Sequence, residues 1–261
     1  MKPIDDFLDC TAKLIETVSA QRQQLAQAAQ WFAESILKER VVHVFGSGHS
    51  RIMVEEMWPR YGSFPGFNPI VELSLTHHTQ VVGANGQRQA MFLENVSGLA
   101  ERILRNFDCS NEDCSLIVSS SGCNIVPIEM AERFRNLGVK VVALVSKQHL
   151  AASDSKRPDG KKLDDFADLV LDTGAPAGDA MVKIEGLESP VAPGSTIGGC
   201  MVVNAIKAEV AGLLAESGKP PKTLTAVCHV GKEKAAKIFE SAYDEHSRRL
   251  ANLYKTLGQK P

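Results

Sequence analysis

At 261 residues, 44% of them hydrophobic and 23% charged, the chain has the composition of an ordinary globular protein with ample core. A net charge of −2 without a Lys/Arg stripe argues against a nucleic-acid binder. No apolar run reaches membrane-spanning length, the start is acidic rather than signal-like, and six cysteines without a CxxC pair indicate neither zinc nor disulfides, so a reduced, cytoplasmic protein is expected.

Residues 4–38 read as one long helix, because Ile4, Phe7, Leu8, Leu14, Ile15, Val18, Leu25, Phe32 and Ile36 recur at helical spacing. At 1.5 Å per residue it would span about 45 Å, so it packs either on a partner subunit or across its own sheet. Val41, Val42, His43, Val44 and Phe45 form a short β-branched run, the mark of a strand buried on both faces. Gly46, Ser47, Gly48, His49 and Ser50 follow, with Ser50 as expected N-cap of a helix through Ile52, Met53 and Met57 that breaks near Trp58 and Pro59. A strand, a glycine turn and a helix start aim backbone N–H groups and a positive dipole end at an anion. The spacing is neither the P-loop nor GxGxxG, and plain punctuation between strand and helix is the bland alternative. Glu55 and Glu56 lie on that helix, either as site carboxylates or as simply solvated ones.

A breaker-rich loop over 61–69 precedes an expected strand over 70–75, which ends at Thr76, His77 and His78. The histidine pair suggests a polar or acid–base role. A metal would need both on a loop, because neighbours on a strand face opposite ways, and no HxH or HExxH spacing accompanies them. A helix is expected over 87–107, then a strand over 114–118 that runs into Ser119, Ser120, Ser121, Gly122, Cys123 and Asn124, with a helix over 125–137. Two such junctions from one parallel sheet can converge on one ligand at its carboxyl edge. Hydroxyls there could hold a phosphate without fixed positive charge; the alternative is a merely polar capping loop.

Strands follow over 139–145 and 168–172, separated by a polar loop over 153–162 that carries Lys156, Arg157, Lys161 and Lys162. Residues 181–184 read as an extra edge strand. Ser195 and Thr196 open a late helix to about Glu216, with Gly198, Gly199 and Ala205 for close packing on the sheet or a neighbour. The tail over 232–257 reads as an exposed, charged helix. Strands alternating with helices imply a three-layer αβα sandwich on a parallel sheet, in one domain: an N-terminal helix (1–38), a body (39–220) and a helical extension (221–261).

With the two turns 46–50 and 119–124 in place, the chain resembles the sugar isomerase (SIS) family, in particular stand-alone phosphosugar-binding proteins of the uncharacterised UPF0309-like group. Val126, Pro127, Ile128, Glu129, Met130 and Ala131, the stretch 155–163, and Ser195 with Thr196 carry the likeness over most of the chain. The resemblance implies a flavodoxin-like five-stranded parallel sheet that binds a phosphosugar at its carboxyl edge, in a homodimer or tetramer; the ligand's anion is phosphate or another such as sulfonate, and neither cofactor nor metal is expected. Ser119, Ser121 and Gly122 match the family's phosphate-holding Ser-x-Ser-Gly loop. Expected binding residues are thus Gly46, Ser47, Gly48, His49, Ser50, Ser119, Ser120, Ser121 and Asn124, with Ser195 or Thr196 as a further donor.

Aldose–ketose isomerisation needs a base that moves a proton between neighbouring carbons. Family heptose-phosphate isomerases use a Glu followed by an Arg and an aromatic, which Glu55, Glu56, Arg60 and Tyr61 resemble, leaving the choice of Glu open. Their partner His on the late helix is Asn204 here, so His77, His78 or a partner-subunit residue would have to take that place. A binding-only sensor module and an etherase-type lyase are the competing functions.

Overall fold

The computed structural model describes residues 2–76 and 86–255. Its helices are α1 (Pro3–Ser19), α2 (Arg22–Leu37), α3 (Arg51–Met57), α4 (Gly86–Leu93), α5 (Leu99–Leu104), α6 (Ile125–Asn136), α7 (Lys147–Ala152), α8 (Ser195–Glu216), α9 (Val227–Val230) and α10 (Lys232–Ala251). Strands β1 (Val42–Gly46), β2 (Phe67–Ile70), β3 (Cys114–Val118), β4 (Lys140–Val145) and β5 (Leu169–Asp172) form one sheet in the order β2-β1-β3-β4-β5, every neighbouring pair parallel.

Side chains alternate across a strand, so each apolar run feeds two cores at once. Val42, Val44, Leu116, Val142 and Leu144 face a layer closed by Phe32 of α2, Met53 of α3 and Val202 of α8. Phe45, Ile117, Val141, Ala143 and Val145 face the other layer, with Ile103 of α5 and Val126 and Ile128 of α6. This is the expected three-layer α/β sandwich.

The stretch 4–38 is not one helix but two, broken at Ala20 and Gln21 and ending at Leu37. Gln21 turns inward there and pairs with the end of β5: its Nε2 donates to Asp172 O at 2.8 Å, and Asp172 N donates to its Oε1 at 2.7 Å. The strand expected over 70–75 lies instead at β2. Its Pro69 is tolerated because β2 is an edge, and Leu73–Leu75 is a 3-10 turn whose start Glu72 caps through Ser74 N at 3.1 Å. The helix expected over 87–107 is split between α4 and α5, which begins after Gly98 at φ +86°. The extra edge strand is not part of the main sheet: β6 (Ala180–Val182) pairs antiparallel with β7 (Val191–Pro193) in a separate hairpin.

Helix α8 also corrects the expectation about apolar runs. By length and composition it could cross a membrane, yet it packs against α1, α2 and α3, and a helix covered on several sides is apolar around its circumference. A Cβ at Gly198 would stand 1.9 Å from Thr173 O, and one at Gly199 2.9 Å from Met53 Sδ, so its glycine face packs within its own chain. Helix α10, expected to be exposed, buries Ala235, Ala242 and Arg249. Arg249 Nη1 donates to Ile36 O at 3.0 Å, in the last turn of α2, and to Arg40 O at 3.1 Å, just beyond it, and so ties α10 to the end of α2.

An ionic cluster closes the amino edge of the sheet. Arg40 donates from Nε and Nη2 to the two oxygens of Asp113, each at 2.8 Å, and Ser110 N adds a bond at 2.7 Å. Asn68 Nδ2 meets His43 Nδ1 at 3.0 Å, which leaves His43 Nε2–H facing Asp113 at 3.3 Å. Burial alone would raise the Asp113 carboxyl, but the bonds from His43 and Arg40 outweigh it and hold the pKa at about 2.

Candidate functional site

The strand order reverses between β1 and β3, and crevices at such switch points are where open α/β sheets bind ligands. Both Gly/Ser turns leave the sheet here and wall a cavity of about 490 Å³. The β1 turn is tight: a Cβ at Gly46 would stand 2.6 Å from Ser50 O, and Gly48 sits at φ +56°. Ser50 stands at the expected N-cap position of α3, but in helical geometry at the end of the 3-10 turn Gly48–Ser50, and its side chain makes no capping bond. In the β3 turn, Ser119 Oγ accepts from Gly122 N at 3.2 Å and Ser121 Oγ from Cys123 N at 3.3 Å. The serines therefore shape the loop as well as line it.

Ser47, Gly48, His49, Ser50, Ser119, Ser120, Ser121, Asn124 and Ser195 come together around this cavity, whereas Gly46 and Thr196 do not line it. Among the described residues nothing hydrogen-bonds Ser120 Oγ or His149 Nδ1, two buried atoms of residues on the cavity wall. Unpaired buried polar atoms are rare and costly. His77 and His78 lie outside the described residues.

Two carboxylates that no motif singled out also line the cavity. Asp179 accepts at Oδ1 from Ser195 N at 2.7 Å and Gly194 N at 3.1 Å, and at Oδ2 from Ser195 Oγ at 2.6 Å. It thus fills the start of α8, where a negative charge is favoured, and engages the Ser195 hydroxyl. Glu94 accepts from Ser47 Oγ at 2.9 Å and Asn124 Nδ2 at 2.7 Å. Burial raises its pKa against the opposing Ser47 bond and Lys156 charge.

Glu55 and Glu56 do not line the serine cavity. Helical period puts Ile52, Glu55 and Glu56 on one face of α3 and turns Met53 to another. Met53 reaches the serine cavity, while the first three wall a second cavity of about 560 Å³ with Arg60, Tyr61, Phe239 and Tyr243. The Glu55 side chain is 53% exposed and Glu56 only 16%. Glu56 accepts from Asn204 Nδ2 at 2.7 Å and pairs with Arg60. Burial pushes its pKa up, but these two bonds prevail and lower it. Lys207, buried and lowered by desolvation, donates to Glu56 O and Ser63 Oγ, both at 2.9 Å, and so holds the end of α3.

Comparison with known proteins agrees with this fold. Residues 6–146 match the family model described as SIS domain. A UPF0309 protein of Halalkalibacterium halodurans is 35% identical over 208 residues, 80% of this chain and 84% of its own. Another, from Thermoanaerobacter pseudethanolicus, is 34% identical over 254 residues, covering 95% of this chain and 99% of its own. A phosphoheptose isomerase from Francisella tularensis shares the fold at a TM-score of 0.51 and 15% identity, over 80% of this chain and 98% of that one. The chain belongs to the SIS domain family, among its UPF0309 members.

Proposed function

We propose that this protein binds a phosphosugar, or another anionic sugar, in the serine-lined cavity and interconverts its aldose and ketose forms. The observation that carries this reading is the convergence of two serine-bearing βα turns on one cavity at the sheet's switch point. Hydroxyls of Ser119 and Ser121, the Asn124 amide and the backbone of Gly48–Ser50 hold the anion. The α3 residue on this cavity is Met53, so on this reading the sugar has to reach past it into the second cavity that Glu55 and Glu56 wall. There Glu56, the more enclosed of the α3 pair, takes the carbon-bound proton and returns it to the neighbouring carbon.

A panel of sugar phosphates in a thermal-shift assay, followed by NMR of each stabilising ligand in D2O, tests both halves. A stabilising sugar that changes form and gains deuterium supports the isomerase. Binding without turnover is the second reading, favoured by the lowered Glu56 pKa and by its neutral partner Asn204. A stabilising sugar that stays unchanged would establish it. We further propose a homo-oligomer, because α1 leaves Ile4, Leu8 and Ile15 exposed along one face. A monomer by light scattering at micromolar concentration would rule that out.

A further inference from the structure

We propose that Glu94 is a ligand-facing residue of the serine cavity, and that an anionic ligand enters there together with a proton. This rests on the cavity being the anion site. Glu94 directly follows α4, and its two carboxylate oxygens hold Ser47 Oγ and Asn124 Nδ2, donors from the two converging turns. Its backbone carbonyl accepts from Val126 N at 2.9 Å, at the start of α6. One residue thus bridges both turns and places a carboxylate among the donors that an anion would use.

Among the described residues lining the cavity there is no Lys or Arg. The titratable groups facing it are His49 on the 3-10 turn, His149 on α7 and Asp179 ahead of α8, while the charge of Lys156, in the loop after α7, reaches Glu94. Asp179 is engaged by Gly194 and Ser195. An incoming anion therefore meets the Glu94 carboxylate among hydroxyl, amide and imidazole groups, with no Lys or Arg among the described lining residues. Two unit charges about 4 Å apart at an effective dielectric of about 20 repel by roughly a thousandfold in affinity. Protonation removes that repulsion and turns one Glu94 oxygen into an O–H donor to the anion. Burial already disfavours the ionised carboxylate.

Sulfate is a suitable probe because it does not itself titrate near neutrality. Calorimetry in buffers of different ionisation enthalpy should show uptake of about one proton per sulfate bound, with affinity falling roughly tenfold per pH unit on the alkaline side. Glu94→Gln should abolish both effects and bind sulfate about ten- to a hundredfold more tightly near pH ~8. In the wild type, the 13C signal of the Glu94 carboxyl should move towards the protonated position when sulfate is added near pH ~7. A Glu94→Gln variant that keeps the proton uptake and pH slope, while Ser119→Ala/Ser121→Ala weakens binding, overturns the role of Glu94 and leaves the anion site standing. Sulfate binding that the double serine change does not weaken, or no sulfate binding at all, overturns both.

Discussion

At the amino edge of the sheet a carboxylate is hydrogen-bonded by a cation and N–H donors; at the carboxyl edge another is hydrogen-bonded by neutral side chains. Asp113 has Arg40 at 2.8 Å on both oxygens and is held at a pKa of about 2. Among the described residues, Glu94 has a serine and an asparagine as hydrogen-bond partners, and it is raised by burial. The first arrangement is electrostatically satisfied and stabilises the fold. The second leaves a buried carboxyl with no cation bonded to it among the described residues, the feature on which the proposed ligand-linked protonation rests. One sheet thus carries an ion-paired carboxylate at one end and, at the other, a buried carboxyl on the wall of a cavity.

Removing the Asp113 charge should produce the largest effect. Asp113→Asn leaves Arg40 and the fully buried His43 facing a neutral amide, and breaking such a pair costs about 3–5 kcal/mol, measurable as a lower urea midpoint. Because its folded pKa lies below the unfolded value of roughly 3.9, Asp113 contributes stability above that value and loses it as pH falls towards about 2. The wild type should therefore lose about 2 kcal/mol over this acid range, and the Asn variant should show a correspondingly flatter acid limb.

On the functional side, Glu56→Gln should lower isomerase turnover by about 10²–10⁴ while sugar-phosphate binding persists. Normal turnover in this variant and in Glu55→Gln would place the base elsewhere. Ser119→Ala/Ser121→Ala should weaken sugar-phosphate binding by roughly 1–3 kcal/mol, read by calorimetry, because charge-assisted bonds are lost. Since both hydroxyls also accept loop N–H groups, a small drop in melting temperature should accompany it.

The smallest effect sharpens the contrast between the edges. A carboxyl raised on folding contributes stability below its unfolded pKa and loses it as pH rises through the folded one. Glu94→Gln should therefore stabilise the ligand-free protein near neutral pH by less than about 1 kcal/mol, a gain that fades on acidification. Urea unfolding of both proteins across pH checks the sign, which is opposite to that expected for Asp113.

Local patterns in the sequence were enough to locate β1, β3 and β4, the two Gly/Ser turns and the bounds of α6 and α8. Each rests on neighbours in the chain: a β-branched run, a glycine that permits the turn, a periodic apolar face. The αβα sandwich follows from their alternation. What depended on the assembled chain was partnership. Glu94 looks like any helix-end glutamate until folding brings it to Ser47, 47 positions away, and Asn124, 30 away. Asn204 reaches Glu56 across 148 positions, and Lys207 reaches its carbonyl across 151. The inward turn of Gln21 likewise depends on the edge of β5, 151 positions on. Which face of α3 meets the serine cavity also depends on where α8 and α10 pack. Backbone preference acts over a few residues, so elements and turns could be read directly. Hydrogen bonds and desolvation act through space, so the ionisation of each carboxylate and the cavity it faces were decided only by the tertiary structure.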